Sequence, residues 1–409
     1  MKIVIACGGT GGHLFPGLAV AETLIARQHQ VRVLISEKAV DRTALQKCRS
    51  RLDSTRFGSV TISAVGLSHW RQLIPSCYRQ GRAVRECAAV YAEFDPDVVL
   101  GMGGFVSAPA VVAARWKGGG VATVIHESNA VAGRANRWVG RFVDHVALGL
   151  PDCAACFDGR PVTVTGTPVR SELRGGRKVA EAHARLGLSR DRQTVLVVGG
   201  SQGAQALNES LVCALPWLTE WRGRIQFAHL SGPRDGAWLR EAYGHNGFEA
   251  VVLEFCHEME LAYSVADVVV ARAGAASLAE LALFGLPAVL VPLPSAADNH
   301  QWRNAQVFVR AGAAQVLEQS ELTSGLHAAR GERLAEVLMN LLNDTAARVR
   351  MSTAARSLAK ADAAERIVEL LEKLVQGSTV GATFLARFGR ESGRGRNAAP
   401  TKVGTEASV

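Results

Sequence analysis

The sequence predicts an α/β protein of two doubly wound parallel-sheet domains facing across a cleft, and three observations predict it. The chain has 409 residues, more than one α/β core holds, since single cores stop growing at about 250–300 residues. Thirteen short apolar runs alternate with longer segments of helical periodicity, the pattern of parallel strands covered by helices on both faces. The two halves also rhyme: Ile3–Ala6 followed by Cys7-Gly8-Gly9-Thr10-Gly11-Gly12, and Val195–Val198 followed by Gly199-Gly200-Ser201-Gln202-Gly203, each read as a buried strand turning through glycines into a helix.

In chain order, the first half offers strands at 3–6, 31–35, 60–65, 98–100, 122–125, 143–147 and 162–164. The second offers 195–198, 225–230, 251–255, 268–270, 288–291 and 315–317. The helix after the first strand is expected to start near Pro16, a residue preorganised for a first helical turn. Residues 165–192, with Pro168 and Gly175-Gly176, read as a linker and a short helix. The expected division is therefore 1–165, then 166–375 with its last helices returning to the first domain, then a basic, disordered tail over 376–409.

The composition is that of a folded globule, 48% hydrophobic with 41 glycines and 6% aromatic residues. A net charge of +9 and a pI near 9.4 suit anionic partners: nucleic acid, phospholipid head groups or phosphorylated substrates. Eight cysteines are scattered without the spacing of a disulfide framework, so a reducing compartment is expected, and the lone Cys153-Ala-Ala-Cys156 is read as structural. The apolar run Ile3–Cys7 is too short for a signal peptide. The longest uncharged run, Val98–Ala114, is interrupted by glycines and Pro109 and is too short to span a membrane.

Ligands of open parallel sheets sit beyond the carboxyl ends of strands, where helix N-termini present unpaired N–H groups. Three glycine clusters fall there: Gly8–Gly12, Gly101–Gly104 and Gly199–Gly203. The alternative is that each merely makes a tight turn. A dinucleotide fingerprint fails, because from Gly9-x-Gly11 the third glycine position holds Leu14, although Glu37 keeps a dehydrogenase reading open. No glycine cluster runs into Lys-Ser or Lys-Thr, so a Walker loop is excluded. Asp95-Pro96-Asp97 imitates a metal-binding D-x-D but precedes its strand, at the wrong end of the sheet.

Without a metal cluster, a diphosphate leaving group must be held by helix dipoles, backbone N–H groups and arginine, and Arg170 at the domain junction suits that role or an interdomain ion pair. Glu280, on the helix after 268–270, can accept two hydrogen bonds from ribose hydroxyls. Asp298-Asn299-His300-Gln301 and Asn304 carry side chains suited to sugar hydroxyls, or form a solvated helix start. Trp70, Leu73, Ile74 and Tyr78 interleave with Arg71, Arg79, Arg82 and Arg85. With Trp116-Lys117 and Arg137-Trp138 they suit the surface of an anionic bilayer, or are core aromatics beside a solvated basic face. No nucleic-acid recognition module is found.

The stretches GGTGGHLFPG (8–17), GGFVSAP (103–109), HESNAVAGRAN (126–136), GTPVR (166–170), GGSQGAQALN (199–208), Arg272–Glu280 and DNHQWRNA (298–305), in this order, resemble the peptidoglycan N-acetylglucosaminyltransferase family that converts lipid I to lipid II. The resemblance covers roughly residues 2–370. It implies a GT-B fold of two Rossmann-like domains, an inverting transfer, UDP-N-acetylglucosamine and lipid I as substrates, and a peripheral place on the cytoplasmic side of the inner membrane among cell-wall synthesis partners. Ser201, Gln202 and Gly203 would lie near the phosphates, Glu280 at the ribose, and His300 and Gln301 at the sugar hydroxyls, with Cys256 also facing the sugar donor. Thr10, Gly11, Gly12, His13 and Asn129 would face the acceptor and the reacting carbon.

Inversion needs a base for the acceptor proton. His13 is the choice, because imidazole titrates nearest neutral pH, and Glu127 is the reserve. No cofactor is required, a divalent cation being at most a non-essential addition. Thr167 stands where the family often has asparagine. The alternatives are a UDP-N-acetylglucosamine epimerase, another lipid glycosyltransferase of the same fold, and a non-catalytic UDP-sugar sensor, in which His13 would be dispensable.

Overall fold

The computed structural model describes residues 1–49, 52–66, 73–118, 120–200, 203–323 and 331–391. The first half runs β1 (Lys2–Ala6), α1 (Gly11–Ala26), β2 (Gln30–Ser36), α2 (Ala39–Arg49), β3 (Phe57–Ile62), α3 (Leu73–Phe94), β4 (Val98–Gly101), α4 (Gly104–Lys117), β5 (Ala122–Glu127), α5 (Arg134–Val139), β6 (His145–Leu148) and β7 (Val162–Val164). Its strands form one parallel sheet in the order β3-β2-β1-β4-β5-β6-β7. After α6 (Val179–Leu186) come β8 (Gln193–Val198), α7 (Gln205–Ala214), β9 (Ile225–Leu230), α8 (Gly236–His245), β10 (Ala250–Leu253), α9 (Met259–Val265), β11 (Val268–Ala271), α10 (Ala275–Phe284), β12 (Ala288–Leu290), α11 (His300–Arg310) and β13 (Ala314–Val316). These strands form a second parallel sheet, β10-β9-β8-β11-β12-β13. Helices α12 (Gln319–Thr323), α13 (Glu332–Asn343), α14 (Thr345–Leu358) and α15 (Ala363–Glu391) follow.

Both sheets have the doubly wound Rossmann order, in agreement with the sequence. Their strands are apolar throughout because each face is covered. Ile3 and Ile5 of β1 enter the layer under α1 and α15, whereas Val4 and Ala6 enter the layer of Tyr91 and Val106 under α3 and α4. In the second sheet Val195 and Val197 pack toward α7 and α13, and Leu196 and Val198 toward Tyr263 and Leu278.

The chain crosses between the sheets twice. After α14 it returns through Ala359–Asp362, and α15 lays Ala364, Ile367, Val368 and Leu371 into the core of the first sheet. This stripe at i, i+3, i+4 and i+7 is fully buried. Burial stabilises each large aliphatic by about 1.5–3 kcal/mol, enough to hold the return.

Three expectations are corrected. Helix α1 starts at Gly11, and Pro16 lies inside it; Thr10 is already extended and turns the chain, so the glycines and His13 form the first helical turn. The third strand covers 57–62, not 60–65, because its partner β2 ends at Ser36 and the Ser63 N–H is taken by Glu86 at 2.7 Å. The terminal helix continues to Glu391 where disorder was expected from 376. No proline interrupts that stretch, and extending a helix needs no new nucleus.

Candidate active site

In each sheet the order reverses between two neighbours, β1 and β4 in the first and β8 and β11 in the second. Helices leave such a pair toward opposite faces and open a crevice at the carboxyl ends. The glycine loops are the turns after β1, β4 and β8, so the sequence clusters lie at the switch points. The two crevices face each other across a cavity of about 280 Å³, bounded on one side by Thr10, Gly11, Gly12 and Phe15 and on the other by Gly200, Cys256, Tyr263, Ser277 and Glu280.

The first loop is held from beneath by Asp41, which the sequence reading missed. Its buried carboxylate accepts the Gly9 N–H at 2.7 Å, the Ser36 N–H at 3.2 Å and the Ser36 hydroxyl. Lys38 donates to the Gly9 carbonyl at 2.7 Å. The only sequence signal was an acid in the first turn of α2, a position many helices share.

His13 occupies the first turn of α1, with Nδ1 3.0 Å from the Thr10 hydroxyl. Its ring lies on the backbone of Gly103 and Gly104, whose φ angles are +93° and +72°; a Cβ at either would come within 3.0 Å of the imidazole. Glycine is required there by conformation and by space. Enclosure lowers the His13 pKa; Glu127 opposes the shift and His300 adds to it. A neutral imidazole at neutral pH can accept a proton.

Glu127 is buried, and both its oxygens are occupied. Oε1 accepts from Asn129 N (3.0 Å) and Nδ2 (2.8 Å), and Oε2 from Gly133 N (2.9 Å) and Asn136 Nδ2 (3.0 Å). It organises its loop, so its lone pairs are engaged where a reserve base would need one free. Asn129 is likewise engaged at both ends, its Oδ1 receiving Asn304 Nδ2 at 3.0 Å.

Asn304 corrects an expectation. Instead of meeting sugar hydroxyls it is fully buried. It accepts from Ala130 N at 2.8 Å and donates to Ala273 O at 3.1 Å, so helix α11 of the second sheet reads the loop of the first.

On the opposite wall, Glu280 projects from α10. Its oxygens receive Arg170 Nη2 at 3.1 Å and the Tyr263 hydroxyl at 2.6 Å. Burial, and then the neighbouring Glu280, push the Tyr263 phenol well above its ordinary range, which keeps it a hydrogen-bond donor. The guanidinium of Arg170 also stacks over Phe15 of α1, 4.9 Å from the ring centre. Arg170 thus lines the cleft, paired with Glu280 of its own domain and stacked on Phe15 of the other.

Cys256 lines the cavity with a thiol that burial pushes up. His300 opens α11 with Nδ1 2.7 Å from Ala297 O, which leaves Nε2 free, and Gln301 Oε1 accepts Leu293 N at 3.0 Å. Ser201 and Gln202 lie outside the described residues. Beside them, a Cβ on Gly203 would come within 2.7 Å of Ser231 O. His229 backs this loop, with Nδ1 2.9 Å from the Tyr243 hydroxyl and Nε2 3.0 Å from Asn208 Oδ1.

Among the described residues, no helix is long and apolar enough to cross a membrane, and no group of three His, Cys, Asp or Glu is set to hold a metal ion. Asp97 accepts the Lys2 N–H at 2.7 Å at the amino end of the first sheet, a structural bond. Trp70 and Arg71 lie outside the described residues. Tyr78, Trp116 and Trp138 are exposed, joined by Phe142, which the sequence reading did not include.

Comparison with known proteins accords with this geometry. The glycosyltransferase family 28 N-terminal domain matches residues 3–148 and the family 28 C-terminal domain residues 194–367. The UDP-N-acetylglucosamine–N-acetylmuramyl-(pentapeptide) pyrophosphoryl-undecaprenol N-acetylglucosamine transferase of Citrifermentans bemidjiense is 38% identical over 375 residues, 91% of this chain and 99% of the relative. The transferase of the same name from Anaeromyxobacter sp. is 38% identical over 388 residues, 93% and 96% of the two chains. The crystal structure of Acinetobacter baumannii MurG superposes with a TM-score of 0.68 at 28% identity, over 91% of this chain and 99% of that one. The UDP-GlcNAc 2-epimerase of Neisseria meningitidis shares the fold, with a TM-score of 0.63, at only 13% identity over 91% of this chain and 100% of its own. With both family domains in place and relatives matched along nearly their whole length, the chain belongs to the family 28 glycosyltransferases that transfer N-acetylglucosamine to N-acetylmuramyl-(pentapeptide) pyrophosphoryl-undecaprenol.

Proposed function

We propose that this chain moves N-acetylglucosamine from UDP-N-acetylglucosamine to the N-acetylmuramyl hydroxyl of lipid I, with His13 as the base. The observation that supports this assignment is the placement of His13: a depressed, neutral imidazole at the first switch point, next in the chain to Gly12, which lines the cavity whose far wall carries Glu280. His13 takes the acceptor proton as the acceptor oxygen bonds to the anomeric carbon; the bond to the diphosphate breaks, UDP leaves and the configuration inverts. Glu280 accepts the ribose hydroxyls. The Gly199–Gly203 loop at the N-terminus of α7, with Ser201 and Gln202, and Arg170 receive the charge on the leaving diphosphate. Free Nε2 of His300, with Gln301, serves the sugar hydroxyls, and Thr10 orients His13. Glu127 and Asn129 set the loop against which the acceptor rests.

The division of labour follows: residues 1–165 take the acceptor and the membrane, and 166–375 the nucleotide sugar. Exposed Tyr78, Trp116, Trp138 and Phe142, beside arginines of α3 and α5, suit an anionic lipid surface and support a peripheral seat on the cytoplasmic face.

The test is incubation with UDP-N-acetylglucosamine and a short-chain lipid I analogue, measuring UDP release and product mass. His13→Ala should lower kcat by about 10²–10⁴-fold with the UDP-sugar still bound. Turnover unchanged in that variant would remove His13 from the chemistry, and sugar-donor binding without product in any lipid environment would favour a sensor.

A further inference from the structure

Arg170 bridges the two walls of the cleft. Its guanidinium is flanked by Phe15 of the first domain and the Glu280 carboxylate of the second, and the pair is mostly shielded, with side-chain exposures of 18% and 12%. Of its nitrogens, Nε is buried and has no hydrogen-bond partner. Glu280 is the group offered to the ribose, yet Arg170 and Tyr263 already occupy one oxygen each. Each oxygen keeps one further lone pair, so a ribose hydroxyl must share the carboxylate with an intramolecular ion pair in a poorly solvated place, where a charge-assisted bond is strong. Gly200 and Arg170 border the same cavity, so a diphosphate on the glycine loop would present its oxygens to the guanidinium.

We propose that Arg170 makes nucleotide recognition conditional on the diphosphate: it occupies Glu280 in the empty site, and only a ligand whose phosphates draw the guanidinium away gains full use of the ribose carboxylate. The inference rests on the reading of Glu280 as the ribose site. Arg170 is then a specificity-determining residue that discriminates against uridine and favours UDP. The unpartnered Nε provides the third donor with which a fork can hold a diphosphate better than it holds one carboxylate oxygen. Release of UDP after transfer returns Arg170 to Glu280 and resets the cleft. Tyr263 stays on Oε2 throughout and keeps the carboxylate aimed.

The experiment is calorimetric titration of the full chain with uridine and with UDP, comparing the unmodified protein with Arg170→Met and Arg170→Gln. Methionine keeps an apolar stem on Phe15, and glutamine is a second, polar replacement should the first fail to fold. The expected result has opposite signs: uridine binds about fivefold or more tightly, because its competitor is gone, and UDP about tenfold or more weakly, because its phosphates lose a charged partner. Weakening of both ligands, or unchanged uridine affinity, would overturn the proposal. Glu280→Gln separates the two readings. If it leaves uridine and UDP affinity intact, the ribose site itself is misassigned; if it weakens both while the Arg170 variants show no sign split, only the role of Arg170 falls.

Discussion

Asn304→Ala isolates the contact by which the second domain reads the first. The side chain is fully buried and makes three hydrogen bonds, at 2.8, 3.0 and 3.1 Å, to Ala130 N, Asn129 Oδ1 and Ala273 O. Alanine leaves all three partners behind, and an unpaired buried group costs about 1–3 kcal/mol. The bond to Ala273 lies within the second domain, so its loss is expected to lower that domain's stability by about 1–2 kcal/mol. The other two cross the cleft, and their loss weakens the closed arrangement by about 2–4 kcal/mol, or about 30-fold to several-hundred-fold in kcat/KM where closure precedes transfer. Glu280, Tyr263 and Arg170 are untouched, so UDP affinity should stay within about twofold of the unmodified protein. Steady-state kinetics with the lipid I analogue, calorimetry with UDP and urea unfolding measure the three quantities. A kcat/KM within about threefold of the parent would refute the argument that these bonds hold the closed state. A fall in UDP affinity equal to the fall in kcat/KM would instead place Asn304 on the sugar donor.

Because the His13 pKa is lowered, the imidazole remains a base as pH falls through the ordinary histidine range, and the acid limb of the kcat/KM profile should lie below 6.5; a limb above that value would count against His13. Gly104→Ala places a Cβ 3.0 Å from His13 Nδ1 at a φ of +72°, a strain of about 1–3 kcal/mol, and should lower kcat far more than UDP affinity. His229 is held neutral by burial, its pKa brought down to about 3. The unfolded chain therefore takes up a proton between its ordinary 6.5 and about 3 that the native chain does not. Stability should decline as pH falls through that window, by up to about 1.4 kcal/mol per pH unit, and urea melts of His229→Gln should lose that slope. Trp116→Ser with Trp138→Ser should weaken sedimentation with anionic vesicles and leave UDP binding unchanged; retained vesicle binding would move the membrane contact elsewhere.

Thirteen strands were legible because a strand covered on both faces must be apolar throughout, and the short runs at 3–6, 195–198 and 268–270 have no other use. The glycine loops, His13, Arg170 and Glu280 were legible because each follows such a run, and the carboxyl ends of parallel strands are where ligands bind. Their order along the chain also carried the family resemblance. What each polar residue faces was not legible. Asn304, expected at sugar hydroxyls, is spent on Ala130 and Ala273, and Asp41, in no motif, holds the first loop through Gly9 and Ser36. The bond from Gly9 to Asp41 spans 32 positions and that from Ala130 to Asn304 spans 174, and no local pattern encodes a partner at that distance. Pro16 shows the same limit at short range, since its ring suits a first turn but Thr10 had already started the helix. The sequence by itself determined which runs are strands and where glycines must turn, because backbone geometry and burial act locally. Only the tertiary structure decided that Glu127 is saturated by four donors while His13 meets the Thr10 hydroxyl, and that Arg170 rests on Glu280, because those outcomes depend on which groups the fold brings face to face.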